Sequence, residues 1–223
     1  MWIMKKKSCV WLVVLLLGVV MTANAQMLKV EGGMAFSKLK TKGLNGDQIF
    51  DKSVKPFQMS VGLEYWDREH FNLSSSVGYL RTGGRNKVII GDNDGGVLNP
   101  NFKHKYFVDY LTVNTLFNIK RKDGRQTYYL GIGPRLDLKV GSKDNSSESI
   151  EYVDGKMPEL NTIVFGLKCE VGIWFDLDDH FRLGANVSYL PSFTKVWTSP
   201  VAPDVTMTTR SVTLGVSLGY VLY

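Results

Sequence analysis

Cysteine is almost missing from this chain: of 223 residues only Cys9 and Cys169 are cysteine, so no internal disulfide framework is available to it. Histidine is nearly as scarce. His70 and His180 fall in predicted short turns and His104 in a long connection, so no spacing assembles a nucleophile, a base and an orienting acid. These histidines and Cys169 lack metal-ligand spacing as well. Long apolar runs are absent with one exception, Val10 to Met21, roughly a dozen residues where a membrane-crossing helix needs about 20. The rest of the chain lacks any strong helical periodicity. Accordingly the sequence offers no catalytic residue, no cofactor site and no metal site, and it is not read as an enzyme.

The exceptional run has a specific setting. Lys5, Lys6 and Lys7 precede it and Ala23-Asn24-Ala25 come after it, the layout of a secretory signal peptide with a small-residue cleavage site. Residues 1–25 are therefore expected to be removed and residues 26–223 to form one domain. Cys9 leaves with that segment. So do three lysines and no acids, which halves the formal charge of +6.

From Gln26 onward the dominant signal has period two, the spacing at which a strand sends successive side chains to opposite faces. Leu28, Val30, Met34 and Phe36 oppose Lys29, Glu31, Gly33 and Ser37; Phe57, Met59, Val61, Leu63 and Tyr65 oppose Gln58, Ser60, Gly62 and Glu64. Phe71, Leu73, Val77 and Tyr79 then oppose Asn72, Ser74, Ser76 and Gly78. Similar segments run from Tyr128 to Lys139, Phe165 to Phe175, Phe181 to Tyr189 and Ser211 to Leu222, with a less clean one from Tyr106 to Asn118. About eight strands result. Their connections alternate: Asp67–His70, Lys120–Arg125 and Asp176–His180 are short, whereas 38–55, 82–105, 141–160 and 194–208 are long and polar. The reading is an all-β protein, an eight-stranded antiparallel transmembrane β-barrel with short periplasmic turns and long extracellular loops.

Alternation alone fits a soluble lipocalin-like barrel equally well, with its apolar face turned inward to carry a hydrophobic ligand. Three features favour the lipid-facing arrangement. Aromatic residues bracket the strands, as Phe57 with Tyr65, Phe71 with Tyr79 and Phe165 with Phe175, separated by roughly 25–35 Å, which suits two girdles around an apolar band. The polar face mixes Gly and Ser with Glu31, Glu64, Arg135, Asp137, Lys168, Glu170 and Arg182, and frequent strand glycines would be costly on a merely solvated face. Strand residues also continue to Tyr220-Val221-Leu222-Tyr223. A cell outer-membrane location is the consequence.

Several segments look like the PorT-like outer-membrane β-barrel family. Asp109 to Phe117 resembles its strand beginning with tyrosine and leucine, with Asn114 where that family carries proline, and Tyr128 to Arg135 resembles the next strand with its Gly133-Pro134 element. Phe165 to Gly172, Phe181 to Tyr189 and Arg210 to Tyr220 resemble the last three strands, and Tyr223 is an addition at the end. The resemblance implies an eight-stranded barrel inserted by the outer-membrane assembly machinery, and a founding member linked to protein secretion.

An eight-stranded barrel has room inside only for its own side chains, so the inward charges read as a mutually neutralising plug; a narrow transport path or an accessory role in secretion is the alternative. Gly91 to Gly96, with Asp92 and Asp94, has the look of a calcium loop but lacks the spaced ligand set, and is read as an ordinary turn. Residues 38–55 carry five lysines against two aspartates, 81–105 five basic residues against two aspartates, and 141–160 two lysines against five acids. The expected role is structural or interactive through the loops, with outer-membrane lipid, lipopolysaccharide phosphates on a basic side, and a protein at the loops as partners. A monomer and no nucleic acid are expected.

Overall fold

The computed structural model describes residues 25–42, 52–87, 90–91, 97–99, 103–144, 160–198 and 206–222. Eight long strands carry the fold: β1 (Ala25–Lys42), β2 (Phe57–Tyr65), β3 (Phe71–Lys87), β4 (Lys103–Asp123), β5 (Gln126–Asp144), β6 (Ile163–Asp176), β7 (Phe181–Pro191) and β8 (Thr206–Val221). Each pairs antiparallel with the next in sequence. Closure comes from β1 against β8, continuous from Met27↔Val221 to Lys42↔Thr206, so the sheet is a ring with no free edge. Two short pieces decorate the long connections: Ile90–Gly91 pairs with Val97–Asn99, and Trp197–Thr198 pairs onto the start of β8.

The alternation read from the sequence appears as alternating exposure. Along β1, Val30 is 50% exposed while its neighbours Lys29 and Glu31 are 4% and 2% exposed. On β8, Leu214, Val216 and Leu218 are exposed and Thr213 and Ser217 are buried. The apolar face is on the outside and the polar face is the lumen. This is the lipid-facing arrangement, and it removes the lipocalin-like alternative, which requires the reverse.

At the short-turn end the aromatic rings meet between strands. Phe71 stacks on Phe117 at 5.6 Å between ring centroids, and Phe181 meets Tyr220 edge-on at 5.2 Å, forming part of an inner girdle.

Several predicted boundaries move. Parts of 38–55, 82–105 and 141–160 belong to strands, because β1 runs to Lys42, β3 to Lys87, β4 starts at Lys103 and β5 ends at Asp144. Beyond the apolar band both strand faces are polar, so the hydrophobic alternation fades although the backbone ladder continues. The turn expected at Lys120–Arg125 contracts to Gly124-Arg125, flanked by the pair Asp123↔Gln126. Gly124 has φ 59°, the positive value that a two-residue type II′ hairpin needs at its first position. The weak alternation of β4 also has a cause: its lumen face mixes buried Tyr106, Val108, Tyr110 and Leu116 with buried Thr112, Asn114 and Asn118, so the contrast between its two faces is reduced.

Candidate functional site

The lumen is filled in layers. At the long-loop end Leu39, Val108, Tyr110, Val164, Val196 and Met207 belong to one buried apolar cluster. At the opposite end Met27, Tyr129 and Trp174 form a second, with the Tyr129 and Trp174 rings stacked at 6.5 Å. Between them lie the charges.

Glu170 of β6 is the centre of that middle layer and is 1% exposed. Its Oε2 takes Lys168 Nζ at 2.6 Å and the Ser188 hydroxyl at 2.8 Å; its Oε1 accepts from the Tyr129 hydroxyl at 2.9 Å and Lys29 Nζ at 3.4 Å. Lys29 also lies 3.6 Å from Glu31, whose other oxygen accepts from Gln58 at 3.1 Å. Higher in the lumen Arg135 pairs with Asp137 at 3.0 Å and donates to Ser192 at 3.2 Å. Lower down, Asn118 donates to Asn72 at 2.7 Å and to Ser74 at 3.0 Å, and Asn72 donates to Glu64 at 2.8 Å. Burying an ion is tolerated only with such partners. Among the described residues three buried cations, Lys29, Arg135 and Lys168, are shared among four buried carboxylates, Glu31, Glu64, Asp137 and Glu170.

Glycine makes this filling geometrically feasible at particular points. A Cβ on Gly172 or Gly184 would strike the rings of Tyr129 and Trp174 respectively, so those two glycines provide the space into which the rings lie. Two small cavities lie among the described lumen side chains. One of ≈ 20 Å³ borders Glu31, Gln58, Arg135 and Lys168, and one of ≈ 10 Å³ borders Glu64, Asn72 and Tyr129. Each is about the size of a single water.

Of the seven lumen charges expected from the sequence, six are buried inside, while Arg182 lies nearer the short-turn mouth, paired with Asp176 at 2.8 Å. Lys29 was missing from that set, although it stands on the polar face between Leu28 and Val30; its role as the bridge between two carboxylates depends on its distance to Glu170, 141 residues away in sequence. His70 and His180 are exposed in short turns. His70 lies 3.8 Å from Glu69 and His180 stacks on Tyr220 at 5.9 Å. Cys169 is a half-buried free thiol. Among the described residues no group of three or more His, Cys, Asp or Glu side chains is placed to hold a metal. The calcium-like segment from Gly91 to Gly96 falls almost wholly outside the described residues, as do the side chain of His104, Tyr223 and most of the acidic 141–160 connection.

One acid outside the spanning segments is perturbed. The amides of Phe181 and His180 donate to Asp178 Oδ1 at 2.6 and 2.8 Å, and these bonds hold its carboxyl below the usual aspartate value.

A family model described as the outer membrane protein beta-barrel domain matches residues 24–197. No curated protein matches the sequence. Among solved structures the chain is similar to the outer membrane protein OprG from Pseudomonas aeruginosa, with 17% identity over 89% of this chain and 96% of that one and a TM-score of 0.50. It is also similar to Neisserial surface protein A, at 15% identity over 87% and 97% of the two chains with a TM-score of 0.47. The outer membrane protease OmpT from Escherichia coli aligns at 9% identity over 89% and 94% with a TM-score of 0.39.

Proposed function

Because this chain belongs to the outer membrane protein β-barrel domain family and resides in the outer membrane, we propose that it is a closed, non-enzymatic barrel acting through the surface of its long-loop end. The observation that carries this reading is the filled lumen. The cavity of ≈ 20 Å³ beside the charged layer accommodates about one water, and apolar clusters lie above and below that layer, so the described side chains leave little room for a solute or a substrate. Chemistry therefore falls to the outer surface, where the partner classes are outer-leaflet lipid, including lipopolysaccharide, and protein.

Residues 1–25 act in this reading as a cleaved export signal, which places the termini and short turns in the periplasm and the long connections outside. A closed ring offers no edge for strand addition, which supports a monomer. The Gly133-Pro134 element and the β4 sequence support membership of the PorT-like subgroup, and with it an accessory role in secretion as the second reading.

Planar-bilayer recording of the purified protein tests the closed lumen. The expected trace has no discrete conductance steps. Steps that vary when Lys168→Gln or Glu170→Gln is introduced would sink the reading and establish a transport path through the charged layer.

A further inference from the structure

The outward face at the long-loop end carries a ladder of cations that face one another directly. Lys38 of β1 and Arg210 of β8 are register partners, and both are exposed. Lys55, from the segment after the first long connection, sets its ammonium 5.5 Å from the Phe36 ring, one outward position below Lys38. Further out, Arg85 of β3 is the register partner of Lys105 of β4, and on its other side bridges to Lys52 through two backbone hydrogen bonds of 3.0 Å. Side chains of like charge directly opposite each other on a sheet destabilise it. Among the described residues none of these six cations makes an ion pair, and the Arg85 Nε is buried with no hydrogen-bond partner. By contrast Arg81 below them is neutralised by Asp109, with Nε donating at 2.6 Å and Nη2 at 3.1 Å.

Their height matters as much as their charge. Ten positions separate Leu28 from Lys38 and Tyr220 from Arg210, and on a tilted strand that is about 25 Å, the height of an apolar band. Lys38 and Arg210 thus sit at the outer hydrocarbon edge. Lys105 lies four positions beyond Asp109, the partner of Arg81, and Arg81 is itself ten positions from Phe71 of the inner girdle. That sets Arg85 and Lys105 about 10 Å further out. A tier at the acyl boundary and a second one above it match a lipid whose phosphates occur at two depths.

We propose that this face, running across β8, β1 and the segment at Lys52–Lys55 to β3 and β4, is a binding site for the phosphorylated glycolipid of the outer leaflet, lipopolysaccharide. The lower tier takes the acyl-proximal phosphate and the upper tier takes a phosphate on the carbohydrate. The anion supplies the counter-charge that no described carboxylate gives these six cations, and the exposed guanidinium of Arg210 offers a forked donor suited to phosphate. The proposal rests on the outer-membrane orientation given above.

The test uses the mature barrel in neutral detergent micelles, with purified lipopolysaccharide, the same lipid after enzymatic dephosphorylation, and phosphatidylglycerol as probes. Binding read by native mass spectrometry is expected for lipopolysaccharide, weaker with rising salt, and reduced at least about tenfold in a Lys38→Gln, Arg210→Gln, Arg85→Gln, Lys105→Gln variant. Lipopolysaccharide should also raise the unfolding temperature of the wild type and not of the variant. Wild-type affinity in a variant that retains the heat-modifiable gel mobility of a folded barrel overturns the site, as does equal binding of phosphatidylglycerol or of the dephosphorylated lipid. Absence of the gel shift in the wild type itself would instead overturn the barrel reading.

Discussion

Glu170 shows how much can depend on a single buried carboxylate. Replacing it with alanine leaves Lys29 and Lys168 as buried ammonium groups, with Lys168 stripped of its 2.6 Å partner, a loss expected to cost about 3–5 kcal/mol. Denaturant-induced unfolding in micelles measures it, and a shift under about 1 kcal/mol would mean that the lumen admits water to solvate the two cations. Two glycines of the same barrel make a second comparison. A Cβ on Gly133 would run into the Thr115 backbone, whereas one on Gly32 meets nothing within 4 Å. Gly133→Ala should therefore lose about 1–3 kcal/mol in the same assay and Gly32→Ala almost none. Asp178 sits in the short turn between β6 and β7. Its lowered pKa means that its contribution to the turn is fully present above the unfolded-state value of about 3.9 and fades only as pH falls through the lower native value. Hydrogen exchange of the Phe181 and His180 amides should consequently be accelerated by Asp178→Ala at neutral pH, while the wild-type turn stays protected down to about pH 4.

At the scale of the strand, β8 offers the cleanest check on which face meets lipid. Val216 is 60% exposed at mid-strand, and its neighbour Ser217 is 2% exposed. An arginine at Val216 should destabilise the folded barrel in lipid vesicles by about 2–4 kcal/mol, the cost of a charge near the bilayer midplane. Were β8 turned the other way, an arginine there would enter the polar lumen and Ser217→Leu would be the benign substitution. The elements also mark where sequence reading succeeds. Inside the apolar band every second residue must suit hydrocarbon, so Leu28 to Phe36 and Val212 to Leu222 announce their faces. Past the band that requirement lapses, and the outer ends of β1, β3, β4 and β5 read as loops although their ladders persist. The lumen side of β4 is misleading for a related reason, because Tyr106, Val108 and Tyr110 pack into the apolar cap and reduce the contrast between its faces.

The whole molecule is a ring whose last pairing, β1 with β8, joins residues nearly the full length of the described chain apart. Such a ring opens only by breaking a complete ladder, so unboiled protein should migrate as a compact species on a detergent gel and boiled protein as an unfolded one; identical mobility in both lanes would contradict a closed barrel. From the sequence by itself came the eight strands, the identity of each face and the alternation of short and long connections, because a period of two is a local property of a strand and needs no knowledge of its neighbours. The same period is silent about which face turns inward; the bracketing aromatic pairs and the strand glycines point to the lipid-facing choice, and closure of the sheet fixes it by placing Val216 outside and Glu170 inside. The lumen pairings and the cation ladder were hidden for the same reason. Lys29 meets Glu170, Lys38 meets Arg210 and Arg85 meets Lys105 through register and curvature, which are set by the whole ring and by no stretch of it alone.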